Sequence, residues 1–188
     1  MKTENTIQTP NHSLATEVPV SRTKAVSVVA ILIAIGAVLR MFSPNIMGIT
    51  PNFVIAMYCL SIILMRPKFS GAIGIGIVAG AVSMIFSKSP IPALNLVTEP
   101  AGALACLLVV RYLPEIAFKK YTFKPIFATL IGTLVSGALY VVINFQVALK
   151  LPLEAMQATF IGVVVPVALI NAIMSQALYA PVKKFMRF

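Results

Sequence analysis

The chain has 188 residues, of which 59% are hydrophobic and 11% are charged, and its mean hydropathy is +0.96. Soluble globular proteins carry about 25% charged residues, so this composition excludes a soluble domain and indicates a protein that faces lipid. The formal charge of +10 would point to nucleic acid in a soluble protein. Here the basic residues lie in short gaps between apolar runs, where membrane proteins carry their orientation signals.

Residues 1–21 form a polar leader, rich in Thr, Asn, Ser and Pro, that predicts a disordered cytoplasmic segment and no cleavable signal peptide. Residues 22–188 are predicted to form a single membrane domain. Crossing a bilayer takes roughly 20 residues, and six apolar runs predict spans at 25–42, 46–65, 70–86, 97–113, 126–147 and 155–180. Glu99 and Pro100 interrupt the fourth span, which requires that Pro100 opens its helix near the interface, where proline is tolerated.

The distribution of Lys and Arg supports six spans with both termini in the cytoplasm. Twelve of the 15 basic residues lie in the leader, the second gap, the fourth gap and the tail, whereas Arg40, Lys88 and Lys150 lie in the other gaps. Because cytoplasmic loops accumulate Lys and Arg, the predicted fold class is an all-α integral membrane protein with six transmembrane helices.

Residue types for catalysis and metal binding are scarce. Cys59 and Cys106 lie inside apolar runs and are interpreted as small buried hydrophobes. The single histidine, His12, lies in the leader, so the membrane part offers no His-based metal site and no Ser/His pair. The sequence also has no Gly-x-x-x-x-Gly-Lys-Ser/Thr phosphate loop. We therefore predict no enzyme activity, metal or cofactor. If the chain carries out active transport, the energy must come from a partner or an ion gradient.

Small residues form two rows at helical spacing. The first row lies on the first span and consists of Ser27, Ala30, Ala34 and Ala37. Such a face allows close approach of another helix, either within the protein's own bundle or from a separate membrane subunit. The second row, on the third span, is interpreted as internal packing and consists of Gly76, Gly80, Ser83 and Ser87.

Polar residues converge on the predicted outer side of the membrane. They are Arg40, Asn52, Lys88, Asn95, Glu99, Asn144, Gln146 and Gln157. Polar side chains at membrane depth are costly unless they face a cavity or one another, so the convergence indicates an outward-facing pocket. Interfacial solvation is the alternative, favoured for Lys88, Lys150 and Gln146, whereas the pocket is favoured for Glu99 and Asn144.

Glu99 lies in a Pro-rich segment, 89–100, that suits a loop dipping toward the bundle. Its carboxylate is expected to pair either with a substrate ammonium or indole N–H, or with Arg40 as a structural ion pair. On the fifth span, one face steps by four residues through Gly132, Ser136, Tyr140 and Asn144. The small residues of this face lie toward the cytoplasm and allow close helix packing beneath a ligand. The aromatic and polar residues lie toward the outside, where they can contact the ligand. Asn171 and Ser175 are expected to bond to helices within the bundle.

Several short motifs together resemble a known family. The first span contains Ala30-Ile-Leu-Ile-Ala34, and the neighbouring runs are Ala34-Ile-Gly-Ala-Val-Leu39, Gly48-Ile-Thr-Pro-Asn-Phe53, Gly74-Ile-Gly-Ile-Val-Ala-Gly-Ala-Val-Ser83 and Ile91-Pro-Ala-Leu-Asn95. In these runs, mainly within residues 24–110, the chain resembles the substrate-binding subunit of energy-coupling factor (ECF) transporters, and in particular the bacterial tryptophan transport protein branch.

The resemblance implies a subunit of the bacterial cell membrane that captures tryptophan, or a similar aromatic or vitamin-like ligand, from the outside. It also implies two kinds of partner, a transmembrane coupling subunit that docks on Ala30, Ala34 and Ala37 and two ATPase subunits. The expected ligand contacts are Arg40, Asn52, Asn95, Glu99, Tyr140 and Asn144. Arg40 would face a ligand carboxylate and Glu99 an amine. Apolar walls from Phe42, Phe53 and Phe86 are conceivable, although plain packing is favoured for each.

Three other classes of function remain open at this point. The first is a stand-alone proton-coupled carrier in which Glu99 loads and unloads a proton. The second is a membrane scaffold without a small-molecule ligand. A membrane enzyme ranks last, because the sequence offers no pair of nucleophile and base and no metal cluster.

Overall fold

The computed structural model describes residues 22–118 and 121–186, so the predicted disordered leader at 1–21 lies outside the described residues. The helices are α1 (Arg22–Met41), α2 (Val54–Met65), α3 (Phe69–Ile85), α4 (Asn95–Tyr112), α5 (Lys124–Ile143), α6 (Leu153–Thr159) and α7 (Val165–Met186). A 3₁₀ turn, Pro92–Leu94, precedes α4, and π-helical turns follow α5 (Asn144–Leu149) and join α6 to α7 (Phe160–Val164). Two short antiparallel strands, β1 (Ala117–Phe118) and β2 (Tyr121–Thr122), link α4 to α5.

The helical architecture predicted from the sequence is confirmed. Four helical segments are long and apolar enough to cross a membrane, namely Thr23–Met41, Pro92–Tyr112, Lys124–Val147 and Leu153–Met186. The apolar helices Val54–Met65 and Phe69–Ile85 are shorter. The count of six crossings and the cytoplasmic termini therefore stay predictions.

The second predicted span is wrong in its first eight residues, because the helix begins only at Val54. Ile46 and Ile49 exchange two backbone hydrogen bonds of 2.8 and 3.0 Å around Met47 and Gly48, whose φ angles are 51° and 79°. Positive φ at both central positions defines a tight primed turn, which glycine tolerates best. Apolar composition alone does not reveal this turn.

The expectation that Pro100 opens the fourth helix is wrong. Helix α4 begins at Asn95, and Pro100 is inside it. Pro100 is the sixth residue of the helix and lacks the N–H that would bond the Leu96 carbonyl, so α4 continues through its second turn without that one hydrogen bond. The segment before Asn95 is irregular as expected, since it consists of a loop and the 3₁₀ turn.

Helix α2 is the centre of the bundle. Its residues 54–63 are all buried, and it packs against α1, α3, α4, α5 and α7. A helix surrounded by other helices has no face for a polar stripe. This position explains why α2 is apolar all round, and it brings the N-terminal end of α2 into the middle of the bundle.

The small-residue row on α3 packs internally, as predicted. A Cβ added at Gly76 would lie 2.5 Å from the Cα of Pro100, and one at Gly80 would lie 2.5 Å from the Asn95 carbonyl oxygen. Helices α3 and α4 therefore approach each other closely along this row.

The row on α1 behaves differently. Ser27, Ala30 and Ala34 are exposed on the surface of the bundle, whereas Ala37 is buried. The inward side of α1 instead contacts α2 through Gly36, where an added Cβ would lie 2.7 Å from the Cα of Val54.

At the far end of the bundle, Glu115 joins two interhelical links. Its carboxylate pairs with Arg66 at 2.7 Å and with the buried Lys124 at 3.2 Å, and it accepts a hydrogen bond from Thr122. Partial burial acts to raise the pKa of Glu115, but the hydrogen bonds and charges of Lys124, Thr122 and Arg66 outweigh it and lower the pKa below its ordinary value. Glu115, which follows α4, therefore connects the segment between α2 and α3, through Arg66, with the start of α5, through Lys124.

Candidate functional site

A polar cavity lies at the end of the bundle where α1 ends and α2 and α4 begin. The space free of atoms is about 430 Å³, its mouth included, which falls in the range of small-molecule sites. Five of the six predicted contact residues line it, namely Arg40, Asn52, Asn95, Glu99 and Tyr140. The structure therefore brings these five side chains together around one cavity, as the sequence predicted.

Glu99 is held by three neutral donors from different parts of the chain. Oε1 accepts a hydrogen bond of 2.5 Å from the Asn52 amide, and Oε2 accepts bonds of 3.0 Å each from the Tyr58 and Ser136 hydroxyls. The residue is 2% exposed. A carboxylate has about four acceptor sites, so this arrangement fixes its orientation and leaves one site for a further donor.

Asn52 organises the segment just before α2. Its Nδ2 donates to Glu99 and to Ser83, while its Oδ1 accepts bonds from the Val54 backbone N–H and the Ser83 hydroxyl. Its backbone carbonyl accepts a bond of 3.0 Å from Asn171 of α7. All the polar atoms of the Asn52 side chain are thus used within the protein.

Arg40 places a guanidinium group in the cavity wall while being only 2% exposed. Nη2 donates to Asn95 Oδ1 at 3.2 Å, but Nε and Nη1 have no hydrogen-bond partner among the described residues. The ion pairs in the described part of the chain both involve Glu115, so the alternative of a structural Arg40–Glu99 ion pair is wrong. Two opposite charges therefore face one cavity without contacting each other.

The loops before α2 and before α4 are tied together beside the cavity. Ser89 Oγ accepts a bond of 2.9 Å from the Thr50 N–H, and Thr50 Oγ1 accepts one of 2.9 Å from the Lys88 N–H. Lys88 Nζ donates to the carbonyl of Met41, the last residue of α1, and to the carbonyl of Ser43 in the loop that follows. Because a cation at a helix C-terminus satisfies free carbonyls, these contacts hold the end of α1 that carries Arg40.

The Tyr140 hydroxyl donates a bond of 3.0 Å to the Ile91 carbonyl, and Asn95 Nδ2 donates one of 2.6 Å to the Pro92 carbonyl. Asn144, the sixth predicted residue, is 0% exposed and lies outside the cavity lining. Neither its Nδ2 nor its Oδ1 has a partner among the described residues.

The apolar side of the cavity includes three valines at the junction of α6 and α7, namely Val163, Val164 and Val167. The other apolar lining residues are Ile49, Pro51, Ile55 and Gly137. The π turn at this junction precedes Pro166, which lacks the N–H that would bond the Gly162 carbonyl. A Cβ added at Gly137 would overlap with Val164 Cγ1, so the absence of a side chain at Gly137 allows α5 to pack against the α6–α7 junction.

The sequence reasoning missed two kinds of contributor. Tyr58 is not among the predicted site residues, although a phenol hydroxyl on the mainly apolar helix α2 is a usable signal. The valines of the α6–α7 junction carry no distinguishing signal in an apolar chain. Phe42, Phe53 and Phe86 do not line the cavity.

Two other expectations concern buried polar residues. Asn171 bonds within the bundle as predicted, to the Asn52 carbonyl and to Thr133 Oγ1, whereas Ser175 Oγ has no partner among the described residues.

In residues 22–118 and 121–186, no group of three His, Cys, Asp or Glu residues could hold a metal ion.

Apolar helices around a cavity lined by residues of opposite charge define a helical membrane protein with a polar cavity at one end of its bundle. The chain belongs to the tryptophan transporter TrpP family, whose model matches residues 22–187. It is 31% identical to a probable tryptophan transport protein of Clostridium acetobutylicum, over 84% of this chain and 91% of that protein. It is 28% identical to a probable tryptophan transport protein of Bacillus subtilis, over 88% of this chain and 94% of that protein. No solved structure matches the chain.

Proposed function

We propose that this chain is the substrate-capture subunit of an ATP-driven ECF-type importer and that it binds tryptophan from outside the cell. The observation that carries this proposal is the unpaired charge couple of Arg40 and Glu99 in one buried cavity. An amino acid carries a carboxylate and an ammonium group, so a single zwitterion complements both charges. Family membership and the names of two relatives support tryptophan as the amino acid.

The substrate carboxylate binds at Arg40, whose Nε and Nη1 are available as donors. Charge-assisted hydrogen bonds of this kind are shorter and stronger than neutral ones. The ammonium group uses the remaining acceptor site of Glu99, and the ring lies against the valine wall of the α6–α7 junction. Asn52, Asn95 and Tyr140 keep these groups in place through the bonds described above.

The transport cycle requires partners outside this chain. We propose a transmembrane coupling subunit that docks on the exposed α1 face of Ala30 and Ala34, and two ATPase subunits that supply the energy. The exposure of Ala30 and Ala34 supports a face that is open to another helix. Ala37, the third residue of the predicted docking set, is buried and is not part of this exposed face.

The absence of Trp from the sequence makes a direct binding test possible. Because the chain has no indole of its own, indole emission from the tag-free purified protein, excited at the red edge of indole absorption, must come from tryptophan, and free tryptophan contributes a linear background that is subtracted. We expect the remaining emission from bound tryptophan to saturate on titration with L-tryptophan and to be unaffected by excess L-leucine. Absence of binding would remove tryptophan as the ligand.

A stand-alone proton-coupled carrier is the second candidate. It is favoured by the lack of an ion-pair partner for Glu99 among the described residues, since a carboxylate held only by neutral donors can exchange a proton without breaking a salt bridge. Uptake of tryptophan into liposomes that contain only this chain and an imposed pH gradient would support it. Uptake that begins only when the coupling and ATPase subunits are added would support the ECF-type importer.

A further inference from the structure

Asn144 carries a buried amide whose hydrogen-bonding groups are both unused. Its side chain is 0% exposed, and neither Nδ2 nor Oδ1 has a partner among the described residues. Buried polar atoms in folded proteins almost always have a partner, and each exception calls for a reason. A ligand that supplies the partner on binding is one such reason.

The other amide and hydroxyl side chains predicted for the site already form hydrogen bonds within the protein. Asn52 uses its amide on Glu99, Ser83 and Val54. Asn95 binds Arg40 and the Pro92 carbonyl, and the Tyr140 hydroxyl donates to Ile91. Of the six predicted residues, Arg40 and Asn144 are those with wholly unused polar atoms. Arginine only donates, so Asn144 Oδ1 is the free amide acceptor.

The position of Asn144 suits contact with the ring of the ligand. It lies one helical turn beyond Tyr140, on the same face of α5, and Tyr140 lines the cavity. It is also the first residue of the π turn Asn144–Leu149. This π turn ends α5, and because Asn144 lies outside the cavity lining, contact with a ligand requires its side chain to turn toward the cavity on binding.

We propose that Asn144 Oδ1 accepts the indole N–H of bound tryptophan and thereby selects tryptophan over aromatic amino acids that lack this donor. The inference rests on the proposed function, in which Arg40 and Glu99 take the carboxylate and the ammonium group. The indole N–H is the one polar hydrogen that then remains on the ligand. Asn144 is therefore a specificity-determining residue at the ring end of the site.

The test compares L-tryptophan with 3-benzothienyl-L-alanine, in which sulfur replaces the N–H and the ring keeps its shape. Affinity for the analogue is measured by its displacement of bound tryptophan, followed by indole emission. The full-length wild-type chain should bind tryptophan about 10- to 100-fold more tightly than the analogue, because the analogue leaves the Asn144 amide unpaired.

Asn144→Leu should reduce this preference to less than about 3-fold, by weakening tryptophan and not the analogue. Gln146→Leu is the matched control, since it makes the same chemical change two residues away at an exposed position and should keep the wild-type preference. Without ligand, Asn144→Leu should unfold at the wild-type temperature or above it, measured by circular dichroism, because it removes an unpaired buried amide. A structural asparagine would instead lower that temperature.

Three outcomes separate the possibilities. A wild-type preference near 1 overturns the role of Asn144 without the use of any variant. A preference that survives in Asn144→Leu overturns it as well, and in both cases tryptophan binding still supports the proposed function. Failure of the wild-type chain to bind tryptophan overturns the proposed function and this inference together.

Discussion

Glu99 and Arg40 are buried charges whose stability depends on different neighbours. Glu99 has three neutral donors, whereas Arg40 has one acceptor and two unused nitrogens. Removing a charge from water is costly unless hydrogen bonds or an opposite charge compensate for it. The protein's own groups therefore compensate Glu99 better than Arg40, and a ligand carboxylate would supply acceptors for the two unused Arg40 nitrogens.

The substitution Glu99→Gln tests the proposed contact of Glu99 with the ligand ammonium group. It preserves the shape of the side chain but removes the negative charge, so tryptophan should bind about 10- to 100-fold more weakly, as hydrogen bonds to charged groups are the stronger ones. The unfolding temperature without ligand should change by no more than about 4 °C, since one amide oxygen can still accept a bond. Binding is measured by indole emission and unfolding by circular dichroism.

Glu115→Gln serves as the matched control for that substitution. Glu115 makes its contacts to Arg66, Lys124 and Thr122 at the far end of the bundle, so its change should leave tryptophan affinity within about 2-fold of wild type. Equal affinity of Glu99→Gln and the wild-type chain would remove Glu99 from the binding site.

At the scale of helices, the site depends on close contact of α4, α5 and α2. Gly102 lies directly below Glu99 on α4. A Cβ added there would be 2.6 Å from the Tyr58 hydroxyl oxygen, 2.8 Å from the Gly132 carbonyl oxygen and 2.8 Å from Ser136 Cβ. The same glycine therefore permits the helices to pack and allows two of the three donors to reach the Glu99 carboxylate.

Gly102→Ala should separate α4 from α5 and draw Tyr58 and Ser136 away from Glu99. We expect a loss of stability of about 1–3 kcal/mol, the usual cost of overpacking, together with weaker tryptophan binding. Gly74→Ala is the matched control, because nothing lies within 4 Å of an added Cβ there. In an exposed helical position that change should be neutral or stabilising. Thermal unfolding and tryptophan titration of both variants measure the difference, and equal behaviour would contradict the packing argument.

For the molecule as a whole, periodicity and hydropathy predicted more of the fold than of the site. The helices were predictable because each must satisfy its backbone internally in lipid, so long apolar runs report them directly. The start of α2 was not predictable from hydropathy. The turn at Met47 and Gly48, which precedes this helix, depends on positive φ angles within a segment that is still apolar. The helical position of Pro100 depends on contact with α3, which a single sequence does not contain.

The polar members of the site were predictable for a physical reason. In an apolar chain a charged side chain such as Arg40 or Glu99 is costly to bury, so its rarity makes it a candidate functional residue. The valines of the α6–α7 junction are common residues in such a chain and carry no signal of this kind. Tyr58 acts through a hydroxyl 3.0 Å from Glu99 Oε2 on α4, and Gly102 acts through the absence of a Cβ, which would lie within 2.8 Å of atoms on α2 and α5. Only the packed structure reveals these contacts.

The surface of α1 leads to a prediction about the assembled transporter. Ala30 and Ala34 are exposed, and in lipid the association of helices relies on close van der Waals contact between small residues. The double substitution Ala30→Leu with Ala34→Leu adds bulk that such contact cannot accommodate. Because these residues lie away from the cavity, the isolated chain should still bind tryptophan within about 2-fold of wild type.

In liposomes that also contain the coupling and ATPase subunits, the same double variant should lose at least about 10-fold in ATP-dependent tryptophan uptake, since a loss of about 1.4 kcal/mol in docking already lowers assembly tenfold. Ala177→Leu with Ala180→Leu adds the same bulk to exposed positions of α7 and should transport normally. Normal uptake by the α1 variant would show that the coupling subunit does not use this face. Equal loss in both variants would mean that added bulk impairs transport wherever it meets lipid, and that the small residues of α1 have no special role.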